Sequence, residues 1–307
     1  MFNKVTSRWP HQDSIKIEWN LGKRCNYDCS YCPSEIHDNK SPHTDIKLLM
    51  ATVDKIAELN KPVRLSFTGG EPCVHPKFEE LVKYAKHKGI KWISVTTNGT
   101  RPFEFYQLLA EYVDQYVVSV HFEYDWRRIL NTVTRLADKS KVALIGQLMA
   151  HHDHMPYVRI ARGILTGIGI PSTVRRIRWT QGDHDLFDDL RYHPDDLEWI
   201  KSQEATVQEN TVLFDDTMSP KFMHANDVIK LHYNKFKDWT CYAGIESLMI
   251  NWDGEVHRAT CRVGGSLGNI YNGTFNIPTE PVICNRTFCT CAADIPISKY
   301  APNESST

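Results

Sequence analysis

The 307-residue chain contains no apolar run near the ~20 residues that cross a bilayer. Its opening stretch, MFNKVTSRWPHQDS, lacks the apolar core of an export signal. Neither sign of charge prevails: 36 lysines and arginines stand against 37 aspartates and glutamates, so no global field calls for nucleic acid or an anionic membrane. There is no internal repeat, and no cysteine falls between Cys73 and Cys241. With 41% hydrophobic and 24% charged residues, the composition is that of a globular protein large enough to bury a real core. The expectation is a cytoplasmic protein with neither a membrane nor a nucleic acid as partner.

Nine cysteines are present, an odd number in a chain without an export signal, which favours metal ligation over a disulfide framework. They form two groups. Cys25, Cys29 and Cys32 lie near the start; Cys241, Cys261, Cys284, Cys289 and Cys291 lie near the end. Two metal sites follow, with Cys73 left as a buried or free thiol.

Between the groups, strand and helix patterns alternate. Strands are predicted at Ser14–Asn20, Val63–Thr68, Trp92–Asn98, Tyr116–Phe122, Val142–Met149 and Thr173–Thr180. Helical faces intervene: Ile46, Leu49, Met50, Val53 and Ile56 share one, with Thr44 as a candidate N-cap, and Phe78, Leu81, Val82 and Ala85 share another that stops at Gly89. Six βα units in series predict an α/β fold, a partial (β/α)6 TIM-like barrel. Several strands alternate apolar with polar residues, which predicts one face against helices and one lining a polar interior. The barrel is expected over 14–181, a helical connection over 182–235 and a small cysteine-rich domain over 236–297. Residues 298–307 are expected to be a disordered tail.

The segment RCNYDCSYCP places Cys25, Cys29 and Cys32 at C-x3-C-x2-C just after the first strand, in the loop where such folds place ligands. Three soft thiolates can hold three irons of a 4Fe–4S cube and leave the fourth open. A closed zinc site would need a fourth ligand, which His37 could supply. The second strand runs into Gly69–Gly70–Glu71–Pro72, whose glycines permit close backbone approach. C-x3-C-x-aromatic-C with Tyr31 as the aromatic, followed by GGEP, resembles the radical S-adenosylmethionine (SAM) superfamily. The resemblance implies a cluster on Cys25, Cys29 and Cys32. It also implies that SAM is cleaved to a 5′-deoxyadenosyl radical, which abstracts hydrogen from a substrate. It places Tyr31 at the adenine and Gly69, Gly70, Glu71 and Pro72 at the amino group. Thr97 and Asn98 of TTNG face the site, Ser119 contacts ribose or carboxylate, and Gln147 and Arg178 are further SAM contacts. His121 departs from the usual acid of the family.

Near the end, Leu248, Ile250 and Trp252 alternate before Asp253–Gly254, a hairpin signal that can bring Cys241 and Cys261 together. This region resembles the SPASM group of auxiliary-cluster domains and its shortened twitch form, although Cys241, Gly254 and Cys261 give C-x12-G-x6-C, longer after the glycine than the family pattern. The resemblance implies a second 4Fe–4S cluster on four of Cys241, Cys261, Cys284, Cys289 and Cys291, with a zinc ribbon as the alternative. The expected function is an oxidoreductase acting on a peptide or protein side chain, with an electron donor such as flavodoxin or ferredoxin. The alternatives are dehydrogenation of a small-molecule alcohol and a non-catalytic metal-binding or electron-transfer protein.

Overall fold

A computed structural model describes residues 2–8, 14–34, 37–59, 61–181, 185–188 and 191–302, and the side chains of 178–190 lie outside the described residues. The chain forms two compact units. The first comprises Met1–Trp19, Glu58–Arg64 and Gln208–Thr307; the second comprises Asn20–Ala57 and Leu65–Val207. Among the described residues no helix is long and apolar enough to cross a membrane.

In chain order the elements begin with β1 (Phe2–Ser7), β2 (Ile15–Asn20), α1 (Ile46–Ala57), β3 (Val63–Thr68), α2 (Phe78–His87), β4 (Trp92–Thr97), α3 (Phe103–Leu109), β5 (Gln115–His121) and α4 (Trp126–Lys139). Next come β6 (Ala143–Ala150), α5 (Met155–Gly167) and β7 (Ser172–Arg176). In the second unit β4, β5, β6 and β7 pair side by side, all parallel. β4, β5 and β6 are each followed by a helix, the α/β arrangement that the alternating pattern predicts. Burial follows the alternation. In β5, Tyr116, Val118 and Val120 are buried while Val117, Ser119 and His121 are half-buried on the other face. Side chains such as Phe67, Tyr106 and Tyr116 are completely enclosed, each contributing about 1.5–3 kcal/mol. The α1 face is as predicted at Leu49, Val53 and Ile56, but its start is different. Asp45 Oδ1 receives the amides of Lys47 (2.8 Å) and Leu48 (3.4 Å), whereas Thr44 donates its hydroxyl to the Leu21 carbonyl.

The predicted sixth strand is divided. After β7 the backbone leaves the sheet at Ile177, and β8 (Arg178–Gln181) pairs antiparallel with β9 (Asp185–Asp188) as a separate ribbon. The run of alternating residues through Arg178 therefore belongs to two elements, which periodicity alone could not separate.

The remaining elements are α6 (Pro194–Ser202), β10 (Thr211–Asp215), β11 (Pro220–Met223), α7 (Ala225–Lys230), β12 (Thr240–Cys241), β13 (Ser247–Ile250), β14 (Glu255–His257), β15 (Ser266–Asn269), β16 (Val282–Ile283) and β17 (Lys299–Tyr300). In the first unit the order β11-β10-β1-β17-β12-β16 makes one sheet. The hairpin β13–β14 forms at Asp253–Gly254 as predicted, and β13 lies parallel to β2. Gly254 has φ +85°, and an added Cβ would meet the Tyr271 ring at 2.4 Å, so the turn requires glycine. Two segments differ from expectation. β1 is a strand despite weak patterning, since only Val5 is fully buried. The stretch expected as a tail enters the sheet: β17 pairs with both β1 and β12.

Candidate functional site

The site in the second unit is built on the loop after β2. The backbone of Gly22–Arg24 runs beside Gly69–Glu71, with Gly70 N donating to Gly22 O and Glu71 N to Arg24 O, both 2.9 Å. An added Cβ at Gly70 would sit 2.3 Å from Lys23 O and 2.5 Å from Arg24 O; one at Gly69, whose φ is +125°, would sit 2.6 Å from Gly22 O. The close approach that the glycines permit is thus between two loops of this chain. The backbones of Arg24 and Asp38 form an isolated β-bridge, and Cys25 N donates to Asp38 O (2.7 Å), which ties the start of the cysteine loop to residue 38.

Glu71 is 3% exposed and completely engaged. Its Oε1 accepts from Cys73 N (3.0 Å) and Thr97 Oγ1 (2.8 Å), and its Oε2 accepts from Asn98 N (2.6 Å). Burial pushes its pKa up, and these three bonds oppose the shift. Pro72 begins the short 3-10 turn that Glu71 caps. The carboxylate therefore ties the GGEP turn to the end of β4. Removing it in Glu71→Ala orphans three buried donors, so the variant should lose about 3 kcal/mol of stability, read by urea denaturation against the parent.

Asn98 joins that turn to the cysteine loop. Its Nδ2 donates to Asn26 Oδ1 (2.9 Å) and lies 3.8 Å from Cys25 Sγ. Cys25 and Cys29 are buried and Cys32 is half-buried. Burial is the main cause that raises all three thiols, Cys29 to about 12 and Cys32 to about 11, and each of these two is raised further by its cysteine neighbours. Three thiols drawn together away from water are costly to ionise, and a bound cation reverses that cost. His37, the residue that would complete a zinc tetrahedron, donates Nε2 to the Tyr27 carbonyl at 2.6 Å. The donor set suits an iron–sulfur cluster with one iron not held by cysteine.

Residues after β5 and β6 hold the same loop from the other side. Asp28 N donates to Tyr124 Oη (2.6 Å), Ser30 N to Glu123 Oε2 (3.1 Å), and Ser30 Oγ lies 3.3 Å from His151 Nε2. His121 Nδ1 lies 2.5 Å from Tyr31 Oη and 3.4 Å from Cys29 Sγ, with burial lowering its pKa to about 4. Sequence reasoning missed Glu123 and Tyr124; the available signal was their position at the carboxyl end of β5, the edge that carries the cysteine loop.

Ser119 lies opposite Gln147 in the β5–β6 register, and Gln147 opposite Thr173. Gln147 Oε1 accepts from Arg175 Nη1 at 3.1 Å. The Arg178 side chain, expected as a SAM contact, lies outside the described residues. Cys73 is fully buried beside Glu71, with a thiol pushed well up by burial, which fits an inert core position.

In the first unit, Cys241, Cys261, Cys284 and Cys289 line one cavity, together with Asp294 and Lys299. Cys291 is not among its walls. It faces Glu18 and Asp294 instead, the three donor atoms lying within 4.8 Å of one another. Short backbone bonds fix the ligand loops: Cys284 N donates to Trp239 O (2.8 Å), Cys289 N to Asn234 O (2.8 Å), and Cys261 N to Asp294 Oδ2 (3.2 Å). Burial raises Cys241, Cys261 and Cys289, and a neighbouring cysteine adds to each shift: Cys284 to that of Cys241, Cys241 and Cys284 to that of Cys261, and Cys261 and Cys241 to that of Cys289. Four thiols around one space fit a 4Fe–4S cluster or a tetrahedral zinc ion by chemistry.

Residues 19–125 match the profile of the Radical SAM superfamily. The chain is 35% identical over 88 residues to the Fe-coproporphyrin III synthase of Methanosarcina barkeri (strain Fusaro / DSM 804), covering 27% of this chain and 21% of that one. It is 24% identical over 279 residues to the antilisterial bacteriocin subtilosin biosynthesis protein AlbA of Bacillus subtilis (strain 168), covering 86% of this chain and 60% of AlbA. The matches thus span about a fifth of the first relative's length and less than two thirds of the second's. Among solved structures, anSMEcpe with bound AdoMet and the Kp18Cys peptide superposes with a TM-score of 0.58 at 17% identity, over 85% of this chain and 79% of that one. That likeness shows a shared fold.

Proposed function

We propose that this chain, whose residues 19–125 match the profile of the Radical SAM superfamily, is a two-cluster enzyme that takes a hydrogen from a peptide or protein side chain. When bound, a reduced 4Fe–4S cluster with SAM supplies a 5′-deoxyadenosyl radical, and an auxiliary cluster supplies a second redox centre. The observation that carries the reading is the placement of Cys25, Cys29 and Cys32 on one loop, tied to the GGEP turn through Asn98.

The chain's own residues position the reactants. Cys25, Cys29 and Cys32 would hold three irons. The backbone of Gly69–Pro72, set by the Glu71 carboxylate, would receive the amino group of SAM, and Tyr31 would lie along its adenine. Ser119 and the Gln147–Arg175 pair would offer hydroxyl, amide and guanidinium groups to SAM or substrate. The peptide reading draws on the similarity to AlbA through most of this chain, and on a fold shared with a protein solved with a peptide bound. A cytoplasmic location and a flavodoxin or ferredoxin as electron donor complete the proposal. The test is isotopic. Deuterium from labelled peptide should appear in 5′-deoxyadenosine when the reduced holoenzyme turns over; transfer only from a small alcohol would replace the peptide reading with dehydrogenation.

For the auxiliary cluster we assign Cys241, Cys261, Cys284 and Cys289, because these four share one cavity while Cys291 faces two carboxylates. Cys291→Ser should keep about eight irons per reconstituted chain, whereas Cys284→Ala should keep about four. Loss of iron in Cys291→Ser with full retention in Cys284→Ala would exchange their places.

A further inference from the structure

Lys299 is 2% exposed in the core of the first unit. A free lysine is among the residues least often enclosed, so its burial needs a physical account. Its Nζ donates to three backbone carbonyls, those of Asp294 (2.7 Å), Ile295 (3.1 Å) and Ile297 (2.9 Å). Three hydrogens on three neutral acceptors exhaust an ammonium and leave its charge uncancelled by any of them. The Phe236 ring lies 5.3 Å from the same nitrogen, a weak attraction for a cation. The pairing of β17 with β12 sets Lys299 directly opposite Cys241, and Lys299 lines the cavity that Cys241, Cys261, Cys284 and Cys289 surround. The other charged groups on that cavity are Asp294, whose Oδ2 is bonded to Cys261 N, and Arg286, which is half-buried.

We propose that Lys299 is a fixed positive charge that raises the reduction potential of a cluster bound by these four cysteines. The inference rests on the auxiliary-cluster assignment above. A cluster on four thiolates is anionic, and one added electron makes it more so. A cation held in a medium of low dielectric stabilises the more negative state more strongly. Charge, burial and hydrogen bonding around the sulfurs are among the means by which a protein sets such potentials. Lys299 acts on the cluster through space and touches no substrate, so it is a positioning residue. Its effect is to make the auxiliary site a readier electron acceptor.

The test is an electron paramagnetic resonance redox titration of the full chain carrying Cys25→Ala, Cys29→Ala and Cys32→Ala, so that the signal belongs to the auxiliary cluster alone. Lys299→Gln keeps hydrogen-bond donors and removes the charge; Lys299→Arg keeps the charge. The midpoint of Lys299→Gln should be more negative than the parent's, with that of Lys299→Arg close to the parent's and iron content the same in all three. An unchanged midpoint in Lys299→Gln overturns the proposal. Loss of the auxiliary iron from both variants also overturns it, and makes Lys299 a strut for the 294–297 carbonyls. Absence of iron from the parent itself would instead refute the cluster assignment.

Discussion

In a chain carrying Cys25→Ala, Cys29→Ala and Cys32→Ala, 5′-deoxyadenosine formation should fall to background and iron should drop from about eight to about four atoms per chain. The loss is specific because these thiols and the C-terminal four belong to different units, 20–57 with 65–207 and 208–307 with its partners, each with its own buried contacts. No thiol of the second set lies on the cysteine loop. Cys25 loses its contact with Asn98 and the site loses its iron, while the cavity around Cys241 and Cys289 is untouched by the substitutions. Retention of about four irons, measured colorimetrically after anaerobic reconstitution, would match the account. Retention of none would mean that the C-terminal cysteines hold no cluster.

Gly70→Ala should be strongly damaging. Its new methyl would stand 2.3 Å from one backbone oxygen and 2.5 Å from another, so neither neighbour is a flexible tip that can turn away. The strand end and the cysteine loop must separate, which strains Gly70 N–Gly22 O and Glu71 N–Arg24 O. The cost should be about 3 kcal/mol or more, with poor iron loading at Cys25–Cys32 as the sharper readout. Gly163→Ala is the control. It lies in α5 with open space where its Cβ would go, and should be neutral or stabilising by up to about 1 kcal/mol. Equal iron loading in the two variants would contradict the close-approach explanation of the glycines.

The barrel strands were legible because their side chains alternate and are separated by helical faces and glycine stops. The cysteine triplet was legible because three thiols at short spacing after a strand have few other uses. Other features depend on partners distant in sequence. Nothing local marks Glu123 and Tyr124 as holding the cysteine loop, since their bonds to Ser30 and Asp28 span more than 90 residues. Five C-terminal cysteines look alike in sequence, and only the cavity walls separate Cys291 from the others. Periodicity ran through Ile177 from one strand into another, so the end of β7 and the start of β8 looked like one strand, and nothing local marked Arg175 as the partner of Gln147. Lys299 looked like part of a polar tail because a lysine carries no signal of burial until the carbonyls that receive it are in place.

The most direct measurement is on the parent protein: reconstitute it anaerobically, count its metals, and add dithionite and SAM. About eight irons per chain, with 5′-deoxyadenosine and methionine formed only when both reagents are present, is the predicted result. Stoichiometric zinc in place of iron, with SAM left intact, would contradict it.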